Sequence, residues 1–251
     1  MNSFFTALQF LTRIRVIRQD TVAPAAFAAS VKYFPLVGAV LGGLLAAFYH
    51  LTAHHLSIHT LAAALIVLEV ALTGGLHCDG LMDSADGLLS GRPRERMLEI
   101  MKDSRVGAHG VVAFVLLVLA KWSLLLDLLP SAPLAALFVM PVLGRLALVI
   151  AITVFPYARP EGIGKAFADG AGRRALTVAA ATALGLAAYL GPAALAALAA
   201  AALLALGFGR YAVRALGGLT GDTYGAVCEL SEVAVLLVYL VIWDWSTYFW
   251  W

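Results

Sequence analysis

Three aspartates spaced at i, i+4 and i+7 are the residues of this chain best suited to chemistry. Asp79, Asp83 and Asp86 lie in the sequence HCDGLMDSADGLLSGRPRERMLEIMKDSRVGAHG, residues 77–110. If this piece is helical, the spacing places all three carboxylates on one face, where like charges repel. A bridging cation would reverse that repulsion, and hard carboxylate oxygens suit Mg²⁺, with Mn²⁺ as the alternative. The competing interpretation is a solvated acidic turn between two membrane spans.

Other charged residues in the same stretch extend the hypothesis. Asp103 could add a further carboxylate, and Lys102 and Arg105 could hold phosphate groups. A juxtamembrane helix whose cations contact lipid headgroups is the structural alternative, and the sequence leaves both open. A zinc site at His77 is disfavoured, because no further Cys and His residues complete four ligands. We expect His77 to contact substrate or to cap local structure.

The composition places these residues in a membrane protein. Hydrophobic residues make up 62% of the chain and charged residues only 13%, with a mean hydropathy of +0.91. A soluble domain carries about 25% charged residues. The net charge of +2 and the lack of a basic stripe give no indication of nucleic-acid binding. We therefore expect an all-α, polytopic helical bundle that forms a single integral membrane domain over residues 1–251.

The elements that must position the aspartates follow from the apolar runs. About seven runs approach the roughly 17–25 residues that a membrane span needs. They lie near residues 33–53, 60–76, 108–128, 134–156, 175–190, 193–209 and 229–243. Before them, Phe4, Leu8 and Leu11 recur at helical spacing, which predicts a short amphipathic helix on the membrane surface.

Lys and Arg residues predict the orientation. Basic residues occur in 13–18, 92–105, 159–174 and 210–214, whereas the alternating connections 54–60, 130–133 and 191–192 contain none. The positive-inside rule places the basic face in the cytoplasm and the Trp- and Tyr-rich end at 243–251 on the other side. The polar stretches 77–110, 161–170 and 217–226 then share the cytoplasmic face. We expect them to form one site, with a catalytic loop at about 77–107.

The other polar stretches add weaker candidates. Glycines flank Lys165 in 161–170, so the backbone there could approach an anion, although the P-loop spacing is absent. Asp222 precedes the last span. Glu69 and Lys121 fall inside spans, and we expect them to pair with each other. An ion-coupled transporter usually holds its coupling carboxylates at the bilayer midplane, unlike this loop; a purely structural subunit is a further alternative.

The central stretch resembles the signature of the cobalamin 5′-phosphate synthase, or adenosylcobinamide-GDP ribazoletransferase, family. That signature has the form H-x-D-G-x-x-D-x-x-D-G followed by LEIMKDSR-x-G. Further matching pieces occur in the expected order: ALQFLTRIRV with YFPLVGAVLGG, EGIGKAF, and GLTGDTYGAVCELSE. Arg15 stands where the family often has proline, and Cys78 where an aliphatic residue is usual. Neither departure affects a predicted catalytic position.

The resemblance implies a Mg²⁺-dependent, multi-pass enzyme of the bacterial cytoplasmic (inner) membrane. Such an enzyme transfers the cobinamide-phosphate moiety of adenosylcobinamide-GDP to α-ribazole or its 5′-phosphate and releases GMP. The products are adenosylcobalamin or its 5′-phosphate. CDP-alcohol phosphotransferases carry out similar chemistry, but their D-G-x-x-A-R spacing is absent here. The oligomeric state stays open.

The resemblance also implies roles for individual residues. Asp79, Asp83 and Asp86 would hold the metal, with Asp86 also taking part in catalysis. Asp103 would be a ligand or the base that accepts the ribazole hydroxyl proton. Lys102 and Arg105 would clamp the pyrophosphate. The remaining expected substrate contacts are His77, Lys165 and Asp222.

Overall fold

The computed structural model describes residues 3–18, 23–131 and 133–248, with side-chain surroundings given as far as residue 242 and not at residue 133. The predicted aromatic end at 243–251 therefore lies outside the described side chains. The described residues form an all-α bundle, as predicted. Its helices are α1 (Ser3–Leu11), α2 (Pro24–Ser30), α3 (Phe34–Thr52), α4 (Ile58–Thr73), α5 (Leu76–Leu88), α6 (Arg94–Ile100), α7 (Ala108–Leu128), α8 (Pro133–Val154), α9 (Ile163–Gly170), α10 (Arg173–Leu190), α11 (Pro192–Leu216) and α12 (Gly221–Tyr248).

Among the residues that the structure describes, five helical segments are long and apolar enough to cross a membrane, which makes this a multi-pass membrane protein. They are Pro24–Thr52, Ala108–Leu128, Leu134–Val154, Pro192–Leu216 and Gly221–Ile242. The bent pair α4 and α5 could supply a sixth span. The predicted count of seven is thus not confirmed. The predicted span at 175–190 does form helix α10, but α10 starts with two arginines and is rich in alanine, which is only weakly apolar.

Helix α8 is the centre of the bundle and packs against α3, α10, α11 and α12. The contact with α3 is a backbone contact, because a Cβ atom at Gly38 or Gly42 would overlap the carbonyl oxygens of Pro141 and Phe138. Helix α7 instead exposes a row of apolar side chains, as expected of a helix that faces lipid. They are Val111, Val112, Val115, Leu116 and Leu119.

The predicted N-terminal amphipathic helix is present as α1. Its apolar face packs against protein rather than lipid, since Leu8 and Leu11 are 5% and 0% exposed. Aromatic rings continue this contact, with the Phe10 and Phe167 centroids 4.9 Å apart. Phe27 and Phe34 also pack on Phe167. This aromatic cluster fixes α9 against the N-terminal helices.

A sharp bend directs α5 toward the rest of the site. Helix α4 ends at Thr73, and the next two residues, Gly74 and Gly75, both have left-handed backbones, with φ of 68° and 72°. Residues other than glycine adopt this conformation only at a steric cost. The two glycines turn α5 by 91° from α4. The aspartate helix therefore crosses α12 instead of continuing the line of α4.

Candidate active site

A cavity of about 500 Å³ lies where the three predicted polar stretches meet. Asp79 and Lys102 come from the first stretch, Gly162 from the second and Asp222 from the third. The predicted convergence of these stretches is confirmed. The cavity wall also includes apolar side chains of α8 and the aromatic rings of Phe10 and Phe167. A polar cleft with an apolar wall suits a large ligand that carries both anionic and apolar groups.

Two glycines let α5 cross α12 closely enough to build this cavity. A Cβ atom at Gly80 would lie 2.7 Å from the Asp222 carbonyl oxygen. One at Gly225 would lie 3.0 Å from the carbonyl oxygen of His77. Real Cβ atoms are not tolerated at the first distance, so Gly80 is required for the crossing. The crossing places Asp79 of α5 and Asp222 of α12 in the wall of the same cavity.

Asp222 is held by Arg159, a residue that the sequence analysis counted only among the basic loop residues. Arg159 Nη2 donates a 2.6 Å hydrogen bond to Asp222 Oδ2, and Thr220 Oγ1 donates to the same oxygen at 3.2 Å. A short parallel pairing supports the contact, because Ala158 N donates to Leu219 O at 2.7 Å. In the sequence, the position of Arg159 between a span and a glycine-rich loop is the feature that could have indicated this role.

Asp83 is half-buried among other carboxylates. Asp222, Asp79 and Asp86 all repel its negative charge, and Arg159 attracts it. One arginine, already paired with Asp222, faces several acidic groups. Ionised carboxylates in this arrangement favour a cation between them.

The donor set can be compared with what Mg²⁺ requires. Within residues 3–18, 23–131 and 133–248, no group of three or more His, Cys, Asp or Glu side chains is preformed as a metal site. Protein sites for Mg²⁺ often use one or two carboxylates, with water and substrate phosphates completing the octahedron. Asp83 with a neighbouring carboxylate fits this smaller requirement. The residues thus suit a Mg²⁺ ion that arrives with a phosphate-bearing substrate.

Asp86 has a structural role that the sequence analysis missed. Its carboxylate accepts hydrogen bonds from Gly107 N at 2.7 Å and Gly110 N at 2.8 Å, at the start of α7. A Cβ atom at either glycine would overlap that carboxylate. Asp86 is only 8% exposed. The structure therefore gives Asp86, predicted as a metal ligand and catalytic group, the capping of α7.

Asp103 and Arg105 pair with each other outside the main cavity. Arg105 Nη2 lies 2.7 Å from Asp103 Oδ2, and Arg105 Nε and N both donate to Oδ1 at 3.0 Å. They line a separate cavity of about 220 Å³. The hydrogen bonds from the Arg105 side chain lower the pKa of Asp103 to about 2. The predicted base is thus a weak proton acceptor, and the predicted pyrophosphate clamp is already engaged.

The other predicted substrate contacts divide between inside and outside the cavity. Lys102 lines it and is exposed, and its side-chain ammonium has no hydrogen bond or ion pair among the described residues. Lys165 instead pairs with Asp169 at 2.9 Å, while Gly162 and Gly164, which both precede it in the chain, line the cavity. The glycine loop thus reaches the cavity through its backbone and not through its lysine.

His77 also lines the cavity, and a contact with Arg145 orients its ring. Arg145 Nη2 lies 3.4 Å from His77 Nδ1, and an arginine can only donate, so Nδ1 is the acceptor. The neutral ring then carries its proton on Nε2. That atom is buried and has no hydrogen-bond partner among the described residues. An unsatisfied donor at this position is consistent with the predicted substrate contact.

A buried ionic cluster joins several helices of the bundle. Lys121 Nζ contacts Glu69 at 3.0 Å, Glu229 at 2.8 Å and Glu232 at 2.5 Å. Arg145 also pairs with Glu232. The predicted pairing of Glu69 with Lys121 is confirmed. The cluster ties α4, α7, α8 and α12 together, and through Arg145 it reaches His77.

The chain is similar to proteins of one family along almost its whole length. The family model described as cobalamin-5-phosphate synthase matches residues 3–240. A protein named adenosylcobinamide-GDP ribazoletransferase from Desulfitobacterium hafniense (strain Y51) is 45% identical over 244 residues, which cover 94% of this chain and 96% of the relative.

Relatives with the same name occur in other bacteria. The protein from Alkaliphilus metalliredigens (strain QYMF) is 40% identical, over 96% of both chains. The protein from Pseudomonas syringae pv. syringae (strain B728a) is 41% identical, over 94% of this chain and 98% of the relative. A comparison with the solved structures found no match to this chain. These matches show that the chain belongs to the cobalamin-5-phosphate synthase family.

Proposed function

We propose that this protein transfers the cobinamide-phosphate moiety of adenosylcobinamide-GDP to α-ribazole or its 5′-phosphate and releases GMP. This is the nucleotide-loop assembly step of cobalamin biosynthesis. The relatives that share 40–45% identity carry the name of this activity. The observation that carries the proposal is the cavity in which Asp79, Asp222 and Lys102 meet. Carboxylates and a free cation in one cleft suit transfer of a phosphoryl group.

The reaction exchanges one phosphorus–oxygen bond for another. A hydroxyl oxygen of the acceptor attacks the phosphorus that bears the cobinamide group, and the bond from this phosphorus to the GMP oxygen breaks. The hydroxyl loses its proton, and the departing GMP gains negative charge. The ammonium of Lys102, which is exposed in the cavity and unpaired among the described side chains, offsets that charge.

We assign the proton acceptor from position. Asp79 is exposed and lines both this cavity and the one beside it, so it lies at the junction of two spaces. Asp103 lies outside the main cavity and is neutralised by Arg105. Asp79 thus takes the role of base that the sequence analysis gave to Asp103, and it is no longer needed as a metal ligand.

Mg²⁺, or Mn²⁺ in its place, would be held by Asp83 and Asp222 together with phosphate oxygens of the substrate. When bound, the ion supplies positive charge against the transferring phosphoryl group. Asp222 is the charged neighbour that repels Asp83 most strongly, so a cation between them relieves the largest repulsion. Arg159 keeps Asp222 oriented for this task.

The location of the reaction is also part of the proposal. The basic connections predict that the cavity opens at the cytoplasmic face of the bacterial inner membrane. Lipid headgroups would then surround the exposed arginines of the same face. Arg92, Arg173 and Arg174 are exposed and would be available for such headgroup contacts.

The test is GMP release by the purified protein in lipid vesicles that contain adenosylcobinamide-GDP. α-Ribazole and Mg²⁺ are each added or withheld. We expect release only when both are present, because attack needs the hydroxyl and the site needs the ion. No release from folded protein under any condition would contradict the proposed function. Release without an acceptor would indicate a hydrolase instead.

A further inference from the structure

A second cavity, of about 590 Å³, borders the main one, and the sequence analysis assigned it no function. The two cavities share Phe10, Leu76 and Asp79 in their walls. A transfer reaction between two substrates needs two binding spaces that meet at the reacting atoms. Because Asp79 lies at the junction, the second cavity is placed to hold the substrate that brings the attacking hydroxyl.

The wall of the second cavity is formed by the end of α1 and by the bend between α4 and α5. Arg13 N donates a 2.7 Å hydrogen bond to Leu72 O, which ties the segment after α1 to the last turn of α4. Gln9 Oε1 accepts hydrogen bonds from Val16 N at 3.1 Å and Ile17 N at 2.8 Å, which folds the segment back on α1. The backbone of Arg13 is therefore held in place at the edge of the cavity.

The side chain of Arg13 extends across the bend. A Cβ atom at Gly74 would overlap Arg13 Nε, so the arginine can cross the bend because residue 74 is a glycine. Arg13 lines the second cavity, and its guanidinium has no ion pair or hydrogen bond among the residues that the structure describes. Other cations near the site are differently placed. Arg159 is paired with Asp222, and Lys102 lines the main cavity but not the second one.

We infer that the second cavity binds the acceptor and that Arg13 binds the acceptor's phosphate monoester. This inference depends on the proposed function and makes it more specific, since it names the cavity and the residue that recognise the acceptor's phosphate. A guanidinium presents parallel N–H donors that match two phosphate oxygens. The first turn of α5 borders the same cavity and has no side-chain cap, so its partial positive charge adds to that of Arg13. The attacking hydroxyl then lies toward Asp79.

The kinetic test compares two acceptors in one protein. Steady-state GMP release is measured in vesicles of zwitterionic lipid, with α-ribazole or α-ribazole 5′-phosphate. Arg13→Ala is expected to lower the preference for the phosphorylated acceptor, expressed as the ratio of the two kcat/KM values, by roughly 10- to 100-fold. Arg13→Lys keeps the positive charge but loses the parallel N–H donors of the guanidinium. Its ratio should therefore lie between that of the unmodified protein and that of Arg13→Ala. The change should appear in KM rather than in kcat.

Arg15→Ala is the matched control, because Arg15 is an exposed arginine two positions away that lines neither cavity. Its ratio should equal that of the unmodified protein. Equal losses for both acceptors in Arg13→Ala, or no change in the ratio, would overturn the inference. If Arg13→Ala alters turnover only in vesicles that contain anionic lipid, Arg13 binds a lipid headgroup and the inference is also wrong.

A binding measurement separates this inference from the proposed function. Equilibrium binding of α-ribazole 5′-phosphate to the protein in vesicles needs no turnover. Binding by the unmodified protein that Arg13→Ala weakens, in a preparation that releases no GMP, would support the phosphate site and contradict the proposed reaction. If the unmodified protein releases GMP and Arg13→Ala binds α-ribazole 5′-phosphate as tightly as the unmodified protein does, the proposed reaction is supported and the phosphate site is contradicted.

Discussion

Arg159 Nη2 donates a 2.6 Å hydrogen bond to Asp222 Oδ2, and this contact joins the segment after α8 to the first turn of α12. Both side chains are largely buried, at 13% and 20% exposed. The same arginine is the attractive charge near Asp83. One residue thus orients a carboxylate of the cavity and limits the repulsion within the acidic cluster.

Loss of that arginine should impair turnover more than folding. We expect Arg159→Ala to lower kcat by about 100-fold, because displacement of a reacting group by about 1 Å has an effect of that size. GMP release by protein in lipid vesicles is the measurement. Arg174→Ala is the control, since Arg174 is an exposed arginine at the start of α10. Normal turnover of Arg159→Ala would show that Asp222 is positioned without it.

Asp86 should behave as a cap and not as a metal ligand. Asp86→Ala leaves the N–H groups of Gly107 and Gly110 unpaired at the start of α7, and loss of a cap typically costs about 0.5–2 kcal/mol of stability. We expect a lower Tm in Asp86→Ala and, from overlap with Asp86, in Gly110→Ala. The Tm of Asp79→Ala should be unchanged. An unchanged Tm in Asp86→Ala with a raised Mg²⁺ requirement would restore the ligand hypothesis.

Asp103 should not control the pH dependence of the reaction. Its pKa is lowered to about 2 by hydrogen bonds from Arg105, below the ordinary value of about 3.9. The folded-state pKa is depressed, so its stabilising effect is present above the ordinary value and is lost as the pH falls toward 2. Between pH 5 and 9 Asp103 stays ionised. We expect Asp103→Asn to keep the acid limb of the kcat profile and to lose far less than the roughly 100-fold typical of a general base.

The opposite pH result would be informative in the same experiment. If Asp103→Asn removes the acid limb, Asp103 accepts the hydroxyl proton in the loaded enzyme and Arg105 must release it there. Asp79→Asn serves as the comparison, because it should lose turnover at every pH in that range. Equal behaviour of the two variants would contradict the assignment of Asp79 as the base.

The buried cluster around Lys121 should be essential for folding. Lys121→Met leaves Glu69, Glu229 and Glu232 without their shared cation, and breaking a buried ion pair on one side costs about 3–5 kcal/mol. We expect loss of folded protein, measured as the monodisperse yield and Tm in detergent. Glu69→Gln in the same chain should recover part of the loss. The control is Lys102→Met, which makes the same change at an exposed lysine; equal Tm values for the two variants would contradict this role.

Much of the fold and of the site was predictable from local pattern. The apolar runs and the basic connections predicted a helical membrane bundle. They also predicted that the stretches with Asp79, Lys102 and Asp222 share one face of it. The pairing of Glu69 with Lys121 followed from the cost of an isolated charge in a span. These predictions succeeded because each rests on a strong free-energy term that acts on neighbouring residues or on whole spans.

The missed features depend on contacts between distant segments. The Arg159–Asp222 bond joins residues 63 apart in the chain, and Asp86 reaches glycines 21 and 24 positions away. Neither contact is visible in periodicity. The pairing of Asp103 with Arg105 is local, but the loop conformation that permits it is not encoded by helical spacing. The bend at Gly74 and Gly75 is signalled by two adjacent glycines, whereas its direction depends on packing against α12.

The most direct test of the central claim is the Mg²⁺ dependence of GMP release in Asp83→Asn, with the protein in lipid and both substrates present. We predict that saturating Mg²⁺ does not restore the rate in this variant, while its Tm stays near that of the unmodified protein. Asp83→Glu keeps the charge and should recover part of the rate at raised Mg²⁺. A folded Asp83→Asn protein that releases GMP at the normal rate and with normal Mg²⁺ dependence would contradict the claim that Asp83 holds the ion on which this reaction depends.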